Sequence, residues 1–399
     1  VSSLAAEVLR PADGLALSQA LAELALKGEQ VSLCGLDSRS SLGALITAEH
    51  RTLCTAALDD VVHYEPGDLT ITVGAGMPLA SLADLLAAEG QLLPCQPHRR
   101  SGSVGGLIAS AADGALALGY GMPRDVVIGA AIAYGDGSLA RARGRVVKNV
   151  AGYDLPRLMV GSFGTLGAVT EVSFKLQPLP ARTTTLLLGF ARPADAFEAA
   201  RLFSLQPWEP VFVDLLLGAC TPQLAVGFDG RSERVDGLVQ ATSELLDGPS
   251  CQGRLILTDE QDVTLRTRLD DPIAHLGTAG DVVLRWWGTP ARVRAVAESL
   301  LAPRADGLLV HLDVRPVLGQ VFAGLSHQDE AELCAASRTL LAELRQSGSA
   351  VLLNAPQSLR RDPETVWGPP PADFELMTRY KRALDPDGTF VAGRFVGGL

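Results

Sequence analysis

Clustered thiols are missing from this 399-residue chain. Its six cysteines, Cys34, Cys54, Cys95, Cys220, Cys251 and Cys334, stand singly with no C-x-x-C. Iron–sulfur and zinc sites need grouped thiolates, so neither is expected within the chain, and isolated thiols fit core packing in a reducing compartment. The histidines His50, His63, His98, His275, His311 and His327 show no H-x-x-H spacing, and no metal site is expected. A basic surplus is missing as well: the net charge is -11 and the pI about 5.1. Nothing is available to replace the counterions of nucleic acid, which is excluded as a partner. A phosphate-bearing ligand would instead be held by backbone N–H groups. Neither a basic leader in VSSLAAEVLRPADG nor an apolar run of membrane-spanning length is present, so the expected location is cytoplasmic with no transmembrane segment.

What is present is glycine in the right company and enough apolar residue, 47%, to bury a large core over two or three domains. The spacing predicts a helix from about Ala16 to Lys27, ended by Gly28, and then a strand in QVSLCG. The turn LDSRSSLG reads either as an anion nest or as an ordinary surface turn. DLTITVGAG is an alternating strand, followed by a helix in LASLADLLAAE with Pro78 at its start and Gly90 at its end. G-A-G-M-P-L between them imitates a dinucleotide fingerprint, but Leu79 takes the place of the third glycine and PCQPHRR that of the acidic residue, which argues against a Rossmann site.

SGSVGGLIAS places small residues where a loop enters a helix, with N–H groups expected to converge on one point. That suits a diphosphate; the same residues also serve a close helix–helix contact. GAAIAYGDGSLARARG reads as a hairpin about Asp136-Gly137. It leads into KNVAGYDLPRLMVGSFGTLGAVTE, Lys148 to Glu171, where Gly161, Gly164 and Gly167 let the backbone approach something flat or anionic before a strand begins.

Taken together, YEPGDLTITVGAG, the GSVGG loop, PRDVVIG, RVVKNVAGYD, RLMVGSFGTLGAVTE and LDPDGTFVAGRF resemble the FAD-binding subunits of bacterial glycolate oxidase. These belong to the flavoprotein group typified by vanillyl-alcohol oxidase. The resemblance spans about residues 30 to 180 and 365 to 395. It implies an α+β chain: a PCMH-type FAD-binding domain of two α/β subdomains with the cofactor between them, and an α+β cap of antiparallel sheet covered by helices. By the same resemblance the diphosphate lies against Gly35, Leu36, Asp37, Ser38 and Arg39 and against Gly102, Ser103, Val104, Gly105 and Gly106. Adenine and ribose would meet the backbone from Gly167 to Val169, and Arg124 and Asp125 would pass the cofactor. Pro94, Ser110, Lys148 and Asp154 complete the implied FAD contacts.

The chain also departs from that pattern. Paired glycines are usual in the first loop, which here reads Gly35-Leu36. Relatives that attach FAD covalently carry a histidine there; Asp37 and Ser38 stand in its place, so noncovalent FAD is expected, although Cys95 and His98 lie near the second loop. Val391-Ala392-Gly393 replaces the usual Asn-Pro-Gly and leaves Arg394 as the polar group of that motif.

KLQPLP marks a boundary, giving an FAD domain over 1–180, a cap over 181–355 and a proline-rich return over 356–399. Within the cap, GFARPADAFEAARLF and WWGTPARVRAVAESLL align, which predicts two β-α-β-β-α repeats sharing one antiparallel sheet. Oxidising a 2-hydroxy acid needs a base, a cation and a hydride path. The histidine-rich motif that supplies base or metal ligands in active relatives is absent. His311, Asp313 and Arg315 share one face of a predicted strand, as a small site or as a solvated face. Arg394 is a further candidate cation.

Two functions follow from the resemblance. One is an FAD subunit of a glycolate oxidase complex, working with a homologous flavoprotein subunit and an iron–sulfur subunit on a small 2-hydroxy acid, with membrane association only through those partners. The other is a self-sufficient FAD-dependent dehydrogenase of a hydroxy acid or sugar-like alcohol. A flavin-free structural subunit is the alternative from another class.

Overall fold

Asp13 starts the first long helix by accepting the N–H of Ala16 on Oδ1 at 2.7 Å, and Gly28 ends it in the left-handed region at φ 66°. Leu17, Leu21 and Leu24 recur on one face of this helix, Gly14–Lys27, and pack on Val31, Leu53 and Phe390. Burying each such side chain contributes roughly 1.5–3 kcal/mol relative to exposure. The computed structural model describes residues 8–95, 100–112, 114–142, 154–218, 221–248, 250–277, 281–302 and 307–399. They divide into two units, one of residues 1–113, 122–179 and 369–399, the other of residues 114–121 and 180–368. No helix among the described residues is long and apolar enough to cross a membrane.

The first unit holds a small parallel sheet in the order β1-β3-β2, with β1 Val8–Leu9, β2 Val31–Cys34 and β3 Arg51–Cys54. A larger antiparallel sheet runs β4-β5-β9-β7-β8, with β4 Val61–Glu65, β5 Thr70–Gly74, β7 Val127–Ala133, β8 Leu139–Ala142 and β9 Ala168–Lys175. A separate short antiparallel pair joins β6 Gln91–Leu92 and β10 Gln177–Pro178. Because both neighbours of β5 are antiparallel, the glycine turn after it belongs to no β-α-β unit. The helix Leu79–Ala88 that follows turns Leu79, Leu82 and Leu86 onto Ile71, Val73 and Phe174. At the C-terminus the tail adds to β2: Val31 N donates to Thr389 O at 2.8 Å and Val391 N to Val31 O at 2.9 Å.

The second unit is one antiparallel sheet in the order β14-β11-β13-β12-β16-β17-β15-β18. Its first half comprises β11 Arg182–Phe190, β12 Phe212–Leu217, β13 Gln223–Gly230 and β14 Cys251–Leu257. Its second comprises β15 Val282–Trp287, β16 Leu309–Arg315, β17 Gln320–Ser326 and β18 Ser349–Asn354. Helices Pro193–Ser204 and Ser232–Leu245 serve the first half, Pro290–Leu301 and Glu330–Leu344 the second. Each repeat carries one strand more than the alignment predicts, β14 or β18, which makes it β-α-β-β-α-β with spatial order 4-1-3-2. The halves meet where β12 pairs with β16, Leu215 opposite Val314 and Leu217 opposite Leu312.

Two segments sit elsewhere than the sequence boundaries suggest. Residues 114–121 go with the second unit because Gly119 N donates to Val211 O and Leu116 packs with Phe212, Leu216 and Leu269. Residues 356–368 stay with it too, since Arg345 Nη2 donates to Thr365 O at 2.9 Å; the C-terminal piece of the first unit begins at residue 369.

Candidate functional site

One cavity in the first unit gathers three separated stretches: Gly35 to Ser40, Ser103 to Ser110, and Ser162 to Val169. With its open mouth included, it holds about 830 Å³ of space not filled by protein atoms. The end of β2 delivers the first stretch. Cys34 O accepts from Thr55 N at 2.9 Å, after which the chain leaves the sheet and Asp37 turns to φ 57°, a left-handed conformation that a short polar side chain tolerates. The N–H groups of Leu36, Asp37 and Ser38 donate to no protein acceptor among the described residues. Successive free amides around a left-handed residue are what an anion nest requires, and the LDSRSSLG turn meets that condition.

The second stretch is built differently from expectation. Val104 N donates to Met77 O at 2.9 Å, Gly105 N to Ala75 O at 2.7 Å, and Gly106 N to the Ser103 side chain at 3.2 Å. The first two amides hold the loop to the turn after β5 and the third is capped by Ser103, so all three are engaged by protein groups. What this stretch offers is close approach. A Cβ on Gly35 would lie 2.4 Å from Ser103 Oγ, and one on Gly102, at φ 93°, 2.6 Å from Ser38 Oγ, so the two loops touch only because both are glycine. A Cβ on Gly105 would meet Ala75 rather than the cavity, whereas Gly106 has only Ser103 Oγ nearby, at 3.4 Å.

The third stretch is pinned from both sides. Gly161 N donates to Ile108 O and Phe163 N to Ala109 O, both at 2.9 Å. From the other side Lys381 Nζ donates to Thr165 O at 2.8 Å and to Phe390 O at 3.0 Å, and pairs with Asp385, itself buried and accepting from Thr389 N and Phe390 N. Phe163 stacks on Phe395 with centroids 5.0 Å apart. Beside that stack Arg394 enters the cavity wall, its Nε donating to Leu42 O at 3.2 Å and its Nη2 to Arg39 O at 3.0 Å. Burial draws the Arg394 pKa below the ordinary guanidinium value, against the opposing charges of Asp37 and Cys34.

Gly35 to Arg39, Ser103, Gly105, Gly106, Ser110, Gly167 and Val169 thus line one cavity. Gly102 and Val104 stand behind the wall, Val104 fully buried, and Pro94 is buried away from it. Arg124 and Asp125 sit in the short helix Pro123–Val126, where Asp125 accepts the N–H of Met122 and Arg124 O accepts from Arg157. Asp154 caps the helix Leu155–Met159 and pairs with Arg157. None of these last three lines the cavity. Lys148 and Tyr153, like His98 and Cys220, lie outside the described residues. Ser162 and Phe163 also line the cavity without having been singled out, although GSFGTLG carried their signal; Phe163 is bent to φ 54°, and Gly164, one of the expected close-approach glycines, lines the cavity at φ 72°.

The candidate catalytic residues fare otherwise. His311 is exposed, but Asp313 and Arg315 on the same strand face are buried, so this is not a solvated face. Arg315 Nη2 donates to Leu269 O at 2.9 Å, its Nε lies 3.5 Å from Asp214 Oδ2, and its guanidinium covers the Phe322 ring at 4.5 Å. Asp313 has His275 Nε2 at 3.6 Å. Burial, with help from Asp313 and Asp270 and against Arg315, raises the Asp214 pKa to about 7. Arg315 is therefore an internal counter-ion, and Arg394 a brace for the first loop.

The cavity fits a dinucleotide flavin. The free amides at 36–38 suit a diphosphate in an acidic chain, and the glycine backbone of the other two loops admits flat rings. The comparisons agree. The FAD binding domain family matches residues 5–143. The glycolate oxidase subunit GlcE of Escherichia coli is 32% identical over 275 residues, 66% of this chain and 75% of that protein. The glycolate oxidase subunit GlcD of Bacillus subtilis is 34% identical over 162 residues, 40% of this chain and 33% of that one. Among solved structures an alkyldihydroxyacetonephosphate synthase superposes with a TM-score of 0.71 over 96% of this chain and 75% of its own, at 14% identity, a likeness of fold alone. The fold is that of the vanillyl-alcohol oxidase type, an FAD-binding domain with an α+β cap. With three quarters of GlcE matched at this identity, the chain belongs to the GlcE family of FAD-dependent oxidoreductases.

Proposed function

We propose that the chain holds FAD noncovalently in the first-unit cavity and acts as the FAD-binding subunit of a glycolate oxidase complex that converts a small 2-hydroxy acid, glycolate, to glyoxylate. In this reading the first unit is the FAD-binding domain and the second the cap. The observation that carries it is the cavity, with free amides at 36–38 on one side and the glycine-bent loop 162–167 on the other. When bound, FAD supplies the two-electron acceptor. The chain's own part is to hold the diphosphate on Leu36, Asp37 and Ser38, to keep that loop in place through Arg394, and to fix the third loop through Lys381. Asp37 and Ser38 line the cavity in the loop where covalently flavinylated relatives carry a histidine, which supports noncovalent attachment.

Two features favour a reaction completed by partners. Arg315 and Arg394 are engaged by protein groups, and the cysteines lack the clustering that an iron–sulfur relay requires. The partners in this reading are a homologous flavoprotein subunit, as GlcD is to GlcE, and an iron–sulfur subunit, in a cytoplasmic complex that reaches a membrane only through them. Anaerobic addition of glycolate or D-lactate tests it. Flavin bleaching that requires the partner subunits is the expected result; bleaching by the chain alone would replace this reading with a self-sufficient dehydrogenase.

A further inference from the structure

At the root of the first cavity loop two thiols face each other. Cys34 ends β2 and Cys54 ends β3, and they are partners in the parallel ladder. Adjacent strands lie about 4.7–4.9 Å apart, inside the roughly 4.4–6.8 Å window of Cα separations that a disulfide spans. Both are free thiols. Their surroundings differ. Cys34 is half-buried and lines the cavity, next to Gly35. Cys54 is buried, donates to Gly35 O at 3.6 Å, and receives the guanidinium N–H of the exposed Arg10 at 3.4 Å. Burial first, and the neighbouring Cys54 next, push the Cys34 thiol up to about 12.

We infer that Cys34 and Cys54 form a redox-sensitive dithiol that a small peroxide converts to a disulfide. Arg10 places positive charge beside the Cys54 sulfur, and the thiolate is the form that attacks. That sulfur takes one oxygen of the peroxide as the O–O bond breaks, giving a sulfenic acid and hydroxide, which becomes water. The Cys34 sulfur then attacks the sulfenic sulfur, the S–S bond forms, and its thiol proton leaves with the hydroxyl group as a second water. Two thiols lose two electrons and the peroxide gains them. Once linked, Cys54 has no S–H for Gly35 O, so the first peptide of the cavity loop loses a donor. Because Cys34 lines the cavity, FAD there slows the oxidation; this last point alone rests on the proposed cofactor placement.

The test treats the full chain, with and without FAD, with hydrogen peroxide, blocks the remaining thiols and maps the peptides by mass. The expected product is a dithiothreitol-reversible Cys34–Cys54 linked peptide, 2 Da below the sum of its parts, absent from Cys34→Ser and Cys54→Ser and retained in Cys334→Ser. Should one serine variant fail to fold, the other still reads the link. Oxidation of Cys34 or Cys54 only to sulfinic or sulfonic acid, or linkage only through other cysteines, overturns the inference. A link formed equally fast with and without FAD upholds the dithiol and overturns the placement of FAD over Cys34.

Discussion

Arg394 Nη2 reaches back across the sequence to donate to Arg39 O at 3.0 Å, while its Nε holds Leu42 O at 3.2 Å. The C-terminal tail therefore shapes the loop at residues 36–38, whose amides are free. Hydrogen bonds from charged donors contribute about 1.5–3 kcal/mol, and about 1.4 kcal/mol is tenfold in affinity. Arg394→Ala should weaken FAD binding roughly tenfold to hundredfold, with Arg394→Lys in between. Flavin fluorescence titration reads the effect, and an Ala variant that binds as tightly as the parent would remove Arg394 from the account.

A second tether is the Lys381 ammonium, which joins Thr165 O, Phe390 O and the buried Asp385 carboxylate. Lys381→Met leaves Asp385 without its counter-ion. Breaking such a pair costs about 3–5 kcal/mol. We expect a lower urea midpoint for the first unit together with weaker FAD binding, because Thr165 lies in the loop that lines the cavity. Lys381→Arg should recover part of both; a midpoint unmoved by the Met substitution would contradict the clasp.

In the second unit Arg266 is fully buried between Asp262 and Asp229, each 2.7 Å away. Replacing it by Met strands two carboxylates and should destabilise by about 3–5 kcal/mol. Chemical denaturation measures this directly, and a loss under 1 kcal/mol would show the pair to be solvated, by the scale of surface ion pairs at about 0–1 kcal/mol.

These same residues explain what the sequence concealed. The helix Asp259–Asp270 escapes any search for apolar periodicity because it turns Asp262, Arg266 and Asp270 inward. Edge strand β14 is exposed along nearly its whole length, so CQGRLIL shows no alternation between buried and exposed faces. The helix Gly14–Lys27 was legible because its cap, its terminating glycine and its leucine stripe all agree. In the cavity, the 35–39 turn and the loop from Gly161 to Gly167 announced themselves through glycine and small polar residues. The use of the amides at 104–106 was hidden, since their acceptors Met77, Ala75 and Ser103 belong partly to a distant turn.

Asp214 gives a pH dependence. Burial, opposed by Arg315 and reinforced by Asp313 and Asp270, holds its folded pKa at about 7, above the unfolded value near 3.8. A raised folded pKa stabilises fully below the unfolded pKa and loses that contribution as pH climbs toward the folded one. Thermal stability should therefore fall between about pH 4 and pH 7 through this group, and Asp214→Asn should flatten that part of the profile. An unchanged slope in the variant would mean that another group titrates there.

The central claim is that the cavity between the loops at 35–40, 103–110 and 162–169 holds FAD. Gly106 lines it and has open space where a side chain would begin, apart from Ser103 Oγ at 3.4 Å. Calorimetric titration of FAD into the flavin-free chain and into Gly106→Val, with matched unfolding curves, tests this most directly. The account predicts one FAD per chain in the parent and at least a roughly tenfold loss in the variant, the penalty expected for overpacking of about 1–3 kcal/mol. Equal affinity in the two proteins, or no FAD binding by the parent, would contradict it.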